Sequence, residues 1–449
     1  MSELFGTDGI RGKANKYPIT PEIALQVGKA IAHVFKARGH GFSRTVVGKD
    51  TRLSGYMLES ALTSGIVSMG MDVYLVGPMP TPAVAHLTKS FCATCGIMIT
   101  ASHNPSDDNG IKIFDSSGFK LPDKVEEEIE KEVLRGEINS EHISTDLLGK
   151  AHRIDDARGR YIEFAKSSIK NHSLKGLKIV LDCANGAGYF IAPIIFRELG
   201  AEVIKVGTDP DGYNINKDCG ATHTDYISKL VVQNKADLGI ALDGDSDRVI
   251  FCDSKGRIVN GDRIIGLCAL DFKERGRLAK NTVVVTSMSN LGLIKAMENA
   301  GIKVVVTDVG DRYVVEQMKG GGYNIGGEQS GHVIFMDYVT TGDGIITALH
   351  VLKLMMDKNK SITELAGFME EYPQVLTSIK VKEKIPIDNV PVLKKTLADC
   401  EKSLGKSGRV VLRYSGTENK IRVLLEAHDR KDVDNWTAKF KKVIEKELC

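Results

Sequence analysis

Six residues, Asp243-Gly244-Asp245-Ser246-Asp247-Arg248, place three carboxylates at i, i+2 and i+4 directly after the apolar run Leu238 to Leu242. Like charges at that spacing repel and cost stability unless a cation draws them together, so a divalent metal is their natural occupant. A calcium EF-hand also begins with alternating acids, but it needs Gly at its sixth position and a bidentate Glu at its twelfth. This chain has Arg248 and Ser254 there. Three carboxylates leave the ion room for a phosphate oxygen, which suits Mg²⁺; the bland alternative is a solvated acidic turn.

Three other loops carry groups able to do chemistry. Thr100-Ala101-Ser102-His103-Asn104-Pro105 follows the apolar run Gly96 to Ile99. A Ser at such a strand-to-loop junction can present its hydroxyl to a cleft, although Ser, Asn and Pro also make ordinary turns. The Gly-x-Ser-x-Gly elbow of serine hydrolases is absent around Ser102. Ten residues on, Lys112 sits between Ile111 and Ile113, where desolvation would let an ammonium move protons. In Gly326-Gly327-Glu328-Gln329-Ser330-Gly331-His332, glycines let the backbone approach a ligand, and the Glu328 carboxylate near the Ser330 hydroxyl suits gripping vicinal sugar hydroxyls. In Arg413-Tyr414-Ser415-Gly416-Thr417-Glu418-Asn419-Lys420-Ile421-Arg422, the guanidiniums offer forked donors matched to phosphate, and Ser415, Gly416 and Thr417 add neutral ones. It is not a Walker A loop, and its bland reading is a hairpin with a surface Arg.

The elements that must position these loops recur. Thr45 to Gly48 and Gly70 to Gly77, Lys178 to Leu181 and Gly200 to Gly207, and Thr282 to Val285 and Gly301 to Val306 each pair two β-branched runs around a helical stretch. Nearly continuous apolar strands separated by helices imply sheets covered on both faces, which predicts mostly parallel layers in three related, mixed α/β domains. The last part differs. Leu376 to Ile387 reads as an edge strand, Val390 to Leu404 as a helix, Arg409 to Arg413 and Ile421 to Glu426 as strands, and the residues from about Lys431 as a charged helix. A smaller α+β domain is expected there. Linkers are predicted near Gly149 to Arg158, Asp253 to Gly256 and Lys360 to Tyr372, giving domains 1–152, 153–254, 255–368 and 369–449.

Bulk properties narrow the class. With 449 residues, 42% hydrophobic and 26% charged, the chain has material for several cores. Sixty Lys and Arg against 58 Asp and Glu leave +2, too balanced for a nucleic-acid-coating or polybasic membrane protein, so any anion site is local. The opening residues lack a signal-peptide pattern, and no apolar run is long enough to span a bilayer. The chain reads as cytoplasmic. Its eight cysteines sit mostly in apolar contexts and read as reduced, buried thiols. Cys92-Ala-Thr-Cys95 has no second pair or His at metal-site spacing, so no metal is assigned to cysteine.

Taken together and in this order, the four loops resemble the α-D-phosphohexomutase superfamily along nearly the whole chain. Within it, Phe5 to Gly12 (Phe-Gly-Thr-Asp-Gly-Ile-Arg-Gly), Gly327-Glu328-Gln329-Ser330-Gly331-His332, Ser287-Met288-Ser289-Asn290-Leu291-Gly292 and Val309-Gly310-Asp311-Arg312-Tyr313-Val314 are similar to the bacterial phosphoglucosamine mutase branch. The resemblance implies four domains around a central cleft, a phosphoserine at Ser102, and one Mg²⁺ on Asp243, Asp245, Asp247 and that phosphoserine. It also implies interconversion of glucosamine 6-phosphate and glucosamine 1-phosphate, with glucosamine 1,6-bisphosphate as intermediate and activator, feeding cell-wall precursor synthesis. Two residues depart from the pattern: Asn419 where Pro is common in the phosphate loop, and Tyr414 where a smaller or basic residue is common.

Both readings fit phosphoryl transfer by positioning and charge neutralisation. Lys112 and His103 are the expected general acid and base, with Arg11 and Arg248 as cationic supports. Ser415, Gly416, Thr417, Arg413 and Arg422 are expected to hold the unreacting phosphate, and Glu328 and Ser330 the sugar in either orientation. Expected partners are small sugar phosphates, with a homodimer allowed and no nucleic acid or membrane. The rivals are a phosphomannomutase/phosphoglucomutase, a phosphosugar phosphatase and a non-catalytic sugar-phosphate sensor.

Overall fold

The computed structural model describes residues 3–6, 8–38, 43–139, 142–414 and 419–449. Four sheets follow one another along the chain. The first has seven strands in the order Phe5–Gly6, Gly9–Lys13, Asp108–Asp115, Cys95–Ile99, Arg44–Lys49, Asp72–Pro78 and Ala151–Arg153. The second runs Ile258–Val259, Val249–Asp253, Leu238–Leu242, Lys178–Asp182, Glu202–Val206, and the third Lys303–Thr307, Thr282–Thr286, Ile325–Gly327, Val333–Phe335. The fourth is the small antiparallel set Gln374–Lys380, Lys420–Ala427, Gly408–Tyr414, packed against helices Pro391–Leu404 and Arg430–Leu448. The fold is therefore three related α/β domains and a smaller C-terminal α+β domain.

The strands are apolar runs for the expected reason: Cys95–Ile99, Leu238–Leu242 and Thr282–Thr286 are buried over their whole length, because helices cover both faces of the sheet. The first three sheets are mixed, each combining parallel and antiparallel pairings. In each, the strand leading into a chemical loop turns back on itself: Cys95–Ile99 pairs antiparallel with Asp108–Asp115, Leu238–Leu242 with Val249–Asp253, and Ile325–Gly327 with Val333–Phe335. A short loop after a parallel strand can return only antiparallel, since a parallel return needs a crossover of a dozen residues.

Two expectations about connections are corrected. Asp253 to Gly256 is no linker but the turn between Val249–Asp253 and Ile258–Val259, closed by the Asp253 carboxylate accepting from the Lys255 and Arg257 amides at 2.9 and 3.0 Å. The second sheet thus runs on to Val259. Within Gly149 to Arg158, Ala151–Arg153 is the last strand of the first sheet, parallel to Asp72–Pro78. The edge strand predicted from Leu376 to Ile387 ends at Lys380, and Pro386 lies outside it, since Pro cannot donate to a ladder.

One apolar core runs continuously from the first sheet through the second and third, joining Val46, Phe114, Leu242, Phe251 and Phe335. The fourth domain has its own, built on Leu393, Ile421, Val423, Phe440 and Ile444. At about 1.5–3 kcal/mol for each large side chain buried, the continuous core fixes the relative placement of the first three chemical loops.

Candidate active site

Ser102 sits just beyond the strand Cys95–Ile99 with φ of 51°, a left-handed conformation that a non-Gly residue adopts at a cost and that clusters at functional sites. Its Oγ donates to Asp243 Oδ2 at 2.8 Å. The loop is held from behind by Arg52, whose side chain is fully buried. Arg52 donates to the carbonyls of Ser102 at 3.0 Å, Asn104 at 2.8 Å and Asp108 at 2.9 Å, and to that of Pro105. Its Nε reaches Asp50 at 2.8 Å. Asp50 also accepts from Thr100 Oγ1 at 2.7 Å, which in turn accepts the Ser102 amide at 2.9 Å. Asn216, from the second domain, donates to the Ser102 carbonyl at 2.9 Å. Sequence reasoning missed Asp50, Arg52 and Asn216. The signal available for two of them was an Asp-x-Arg at the carboxyl end of the strand Arg44–Lys49.

The three aspartates come together as expected, and among the described residues they form the one group of three or more metal-ligating side chains, with candidate ligand atoms within 4.8 Å of one another. All are buried. Thr81 Oγ1 donates to Asp245 Oδ2 at 2.6 Å, and the Arg248 amide to Asp243 Oδ1 at 3.1 Å. Asp245 Oδ1 and Asp247 Oδ1 are buried without a hydrogen-bond donor. Orphaned carboxylate oxygens in a shared buried cluster fit a hard divalent cation. Burial, and then Asp247 and Asp245, push Asp243 well above the usual carboxylate range, the repulsion the spacing foretold.

Lys112 lies in this cluster, 3.1 Å from Asp245, 3.2 Å from Asp8 and 3.5 Å from Asp247. Burial alone would lower its ammonium, but Asp245, Asp8 and Asp247 outweigh that and raise it. Against the expectation from desolvation alone, these neighbours favour the ammonium form. His103 behaves oppositely. Burial, then Arg248 and Arg11, push it down to about 4, so it is neutral at neutral pH. Its Nδ1 lies 3.1 Å from Arg248 Nη1 and 3.5 Å from Ser102 Oγ. Arg11 pairs with Asp8, which also pairs with Lys120. Burial would raise Asp8, but Lys112, Lys120 and Arg11 hold it well below the usual range.

Asp8, Arg11, Asp247, Arg248, Gly310, Glu328 and His332 line one cavity of about 320 Å³, room for a sugar phosphate. The carboxylate of Glu328 accepts the Gly310 amide at 3.1 Å, which ties the sugar loop to the segment Val309 to Val314. Ser330, on the same loop, is exposed. His332, to which no role was attached, is buried between Asp247 and Asp311, with ring nitrogens 3.6 and 3.7 Å from their carboxylates. Lys120 also bridges to Asp311, and Arg312 crosses to the first domain, reaching the Leu121 carbonyl at 2.8 Å and Glu126 at 2.9 Å.

In the fourth domain, Arg413 and Arg422 are direct partners across the Gly408–Tyr414 and Lys420–Ala427 ladder. Burial and Arg422 lower the Arg413 guanidinium. Cations placed opposite one another cost stability, and an anion between them would repay it. Ser415, Gly416 and Thr417 lie outside the described residues. Tyr414 has a structural task, packing on the domain core and donating to the Ile385 carbonyl at 2.6 Å, and the Asn419 carbonyl accepts the Val381 amide at 2.9 Å.

Four family models match the chain: phosphoglucomutase/phosphomannomutase alpha/beta/alpha domain I over residues 2–139, domain II over 159–256, domain III over 260–372 and the C-terminal domain over 376–443. The chain is 54% identical to a phosphoglucosamine mutase of Geobacter sp. (strain M21) over all of this chain and 99% of that one. It is 53% identical to the phosphoglucosamine mutase of Citrifermentans bemidjiense with the same coverage. Among solved structures, a phosphoglucomutase/phosphomannomutase family protein from Burkholderia thailandensis superposes with a TM-score of 0.82 at 23% identity, covering 100% of this chain and 98% of that one. Fold, order of loops and full-length identity agree: the chain belongs to the phosphoglucomutase/phosphomannomutase family, in its phosphoglucosamine mutase branch.

Proposed function

We propose that the protein interconverts glucosamine 6-phosphate and glucosamine 1-phosphate, with Ser102 carrying the phosphoryl group between turnovers. The observation that bears most weight is the Ser102 hydroxyl held 2.8 Å from Asp243, at the edge of a buried three-aspartate cluster. Phospho-Ser102 gives its phosphoryl group to the free hydroxyl of a bound sugar monophosphate, forming the 1,6-bisphosphate, which turns around and returns its other phosphate. Asp243, Asp245 and Asp247 would hold one Mg²⁺, which supplies charge neutralisation at the transferring phosphate. Neutral His103 is suited to accept a proton from the attacking hydroxyl, and Lys112, held as an ammonium, to offset charge. Arg11 and Arg248 stand at the cavity wall as further cations. Glu328 and Ser330 grip the sugar hydroxyls, while Arg413 and Arg422, with Ser415, Gly416 and Thr417, hold the unreacting phosphate. Glucosamine 1,6-bisphosphate activates any molecules that have lost phosphate. A cytoplasmic location suits these substrates; no described helix is long and apolar enough to cross a membrane.

A solved structure from Aspergillus fumigatus, an N-acetylphosphoglucosamine mutase in complex with GlcNAc-6P and magnesium, has a TM-score of 0.67 at 19% identity, and that pairing of ligands is in keeping with this reading. The test is a coupled assay of glucosamine, glucose and mannose 6-phosphates side by side. The amino sugar should lead in kcat/KM by at least about tenfold, or roughly 1.4 kcal/mol of differential transition-state binding. Equal rates, or a preference for mannose 6-phosphate, would move the chain to the phosphomannomutase/phosphoglucomutase branch, and phosphate release without isomerisation would make it a phosphatase.

A further inference from the structure

A second polar cavity, of about 370 Å³, opens between the edge of the first sheet and the start of the helix Ala157–Ser168. It lies at the carboxyl ends of three adjacent parallel strands, with Lys49 ending Arg44–Lys49, Gly77 and Pro78 ending Asp72–Pro78, and Arg153 ending Ala151–Arg153. Open α/β sheets bind ligands at this edge. The strand that leads to Ser102 ends at the same edge, next to Arg44–Lys49 on its other side. The first sheet therefore presents two concavities at one edge, and the catalytic machinery uses only one.

Its chemistry is that of an anion site with an apolar shelf. Lys49 is 4% exposed, a buried cation held by its neighbours at the cavity wall. One N–H goes to Glu59 at 2.6 Å, and the ammonium lies 3.8 Å from the centre of the Tyr56 ring. Arg153 and Arg158 also line the cavity, against the carboxylates of Glu59 and Asp155. Three cations against two anions leave a net positive wall, while Leu75, Val76 and Pro78 supply a shelf for an uncharged body. Tyr56 is 60% exposed, a ring left at the mouth.

We propose that this cavity is a second ligand site, taking a small organic phosphate ester whose phosphate meets Lys49, Arg153 and Arg158 and whose body lies on Tyr56, Val76 and Pro78. Occupancy is felt at Ser102 through the chain itself. Lys49 is followed by Asp50, whose carboxylate holds both Arg52 and Thr100, the two groups that fix the Ser102 loop. A phosphate that draws Lys49 from Glu59 therefore pulls on the residue next to that anchor.

The experiment uses full-length protein carrying Arg413→Ala and Arg422→Ala, which weakens the other phosphate clamp, and titrates phenyl phosphate and inorganic phosphate by calorimetry. Phenyl phosphate should bind, and more tightly than inorganic phosphate. Adding Arg153→Ala and Arg158→Ala should weaken it at least about tenfold, and lysines at both positions should restore most of that loss. In otherwise wild-type enzyme, Arg153→Ala with Arg158→Ala should leave basal turnover unchanged. At saturating substrate, phenyl phosphate should alter kcat in wild type and not in that variant. Binding indifferent to Arg153 and Arg158, absence of binding, or purely competitive inhibition unchanged by the variants would overturn the site. Equal affinity for the two phosphates would overturn the organic ester as its ligand. The calorimetric arm reads binding alone, so it stands whichever sugar phosphate the enzyme prefers.

Discussion

Ser102 and Asp243 stand 141 residues apart in the chain, yet meet at 2.8 Å because the loops that carry them hang from sheets sharing one apolar core. Arg413 and Arg422 are nine residues apart and meet across a single ladder, in a domain whose core is its own. The first pair is complementary before any substrate arrives, a donor on an acceptor with Arg52 and Asn216 behind. The second places two like charges opposite one another across a ladder. On the proposed function, Ser102 has to stay put through a cycle in which its partner sugar turns around, so rigidity belongs at the centre. The clamp proposed on Arg413 and Arg422, which has to accept either phosphate of the bisphosphate, is better hung on a separately packed domain.

Removing the carrier should have the largest effect. Ser102→Ala is expected to lower turnover on the order of 10⁴-fold or more, as when the nucleophile of covalent catalysis is deleted. Intact mass and peptide mapping of the wild type should find phosphate on Ser102. Phosphate reproducibly elsewhere, with the variant active, would remove the centre from the comparison altogether.

The rigidity of the centre is tested next by Arg52→Ala. It removes the guanidinium from the buried Asp50 carboxylate and from four carbonyls of the Ser102 loop, a loss of about 3–5 kcal/mol by analogy with breaking a buried pair. Urea unfolding should show it. Arg52→Lys should recover part of the stability while restoring turnover less, because an ammonium cannot reproduce the fork. Stability unchanged in Arg52→Ala would mean that the loop is held by something else.

On the clamp side, Arg422→Ala should cost about 2–4 kcal/mol of transition-state binding, with turnover falling as well as affinity, since remote binding energy orients the reacting hydroxyl. Steady-state kinetics decide it, and an unchanged kcat/KM would leave the fourth domain without its role.

The smallest effect separates the regions by pH. His86, stacked on Phe164, is pushed down to about 4, chiefly by burial, and His350, stacked on Phe335, to about 3. Both belong to the central body. A histidine whose folded pKa is depressed takes up its proton in the unfolded chain first, so its contribution is intact above about 6.5 and is lost as pH falls toward 4. Urea midpoints should drop between pH 7 and pH 5, and His350→Phe should flatten that slope. An equal slope in the variant would place the acid sensitivity elsewhere.

Much of this was legible in the sequence. Leu238 to Leu242 is a strand as predicted, a short apolar run buried over its whole length, and Asp243, Asp245 and Asp247 cluster as their spacing suggested. Pattern and local chemistry also placed Ser102 and Glu328 on loops, and Arg413 and Arg422 on the two strands that flank one. Other features exist only once distant segments meet. The antiparallel return after each chemical loop is a matter of pairing, which strand periodicity does not encode. The state of Lys112 depended on Asp8, more than a hundred residues earlier, arriving with two aspartates of another domain to reverse what burial would do. Arg52, outwardly a charged residue beside a turn, became the anchor of the Ser102 loop because four carbonyls of a later loop converge on its guanidinium. Sequence determined which groups could do the chemistry, since residue type and spacing are local properties; tertiary structure decided which charges those groups would carry and how firmly they would be held, because both are set by neighbours the chain brings in from afar.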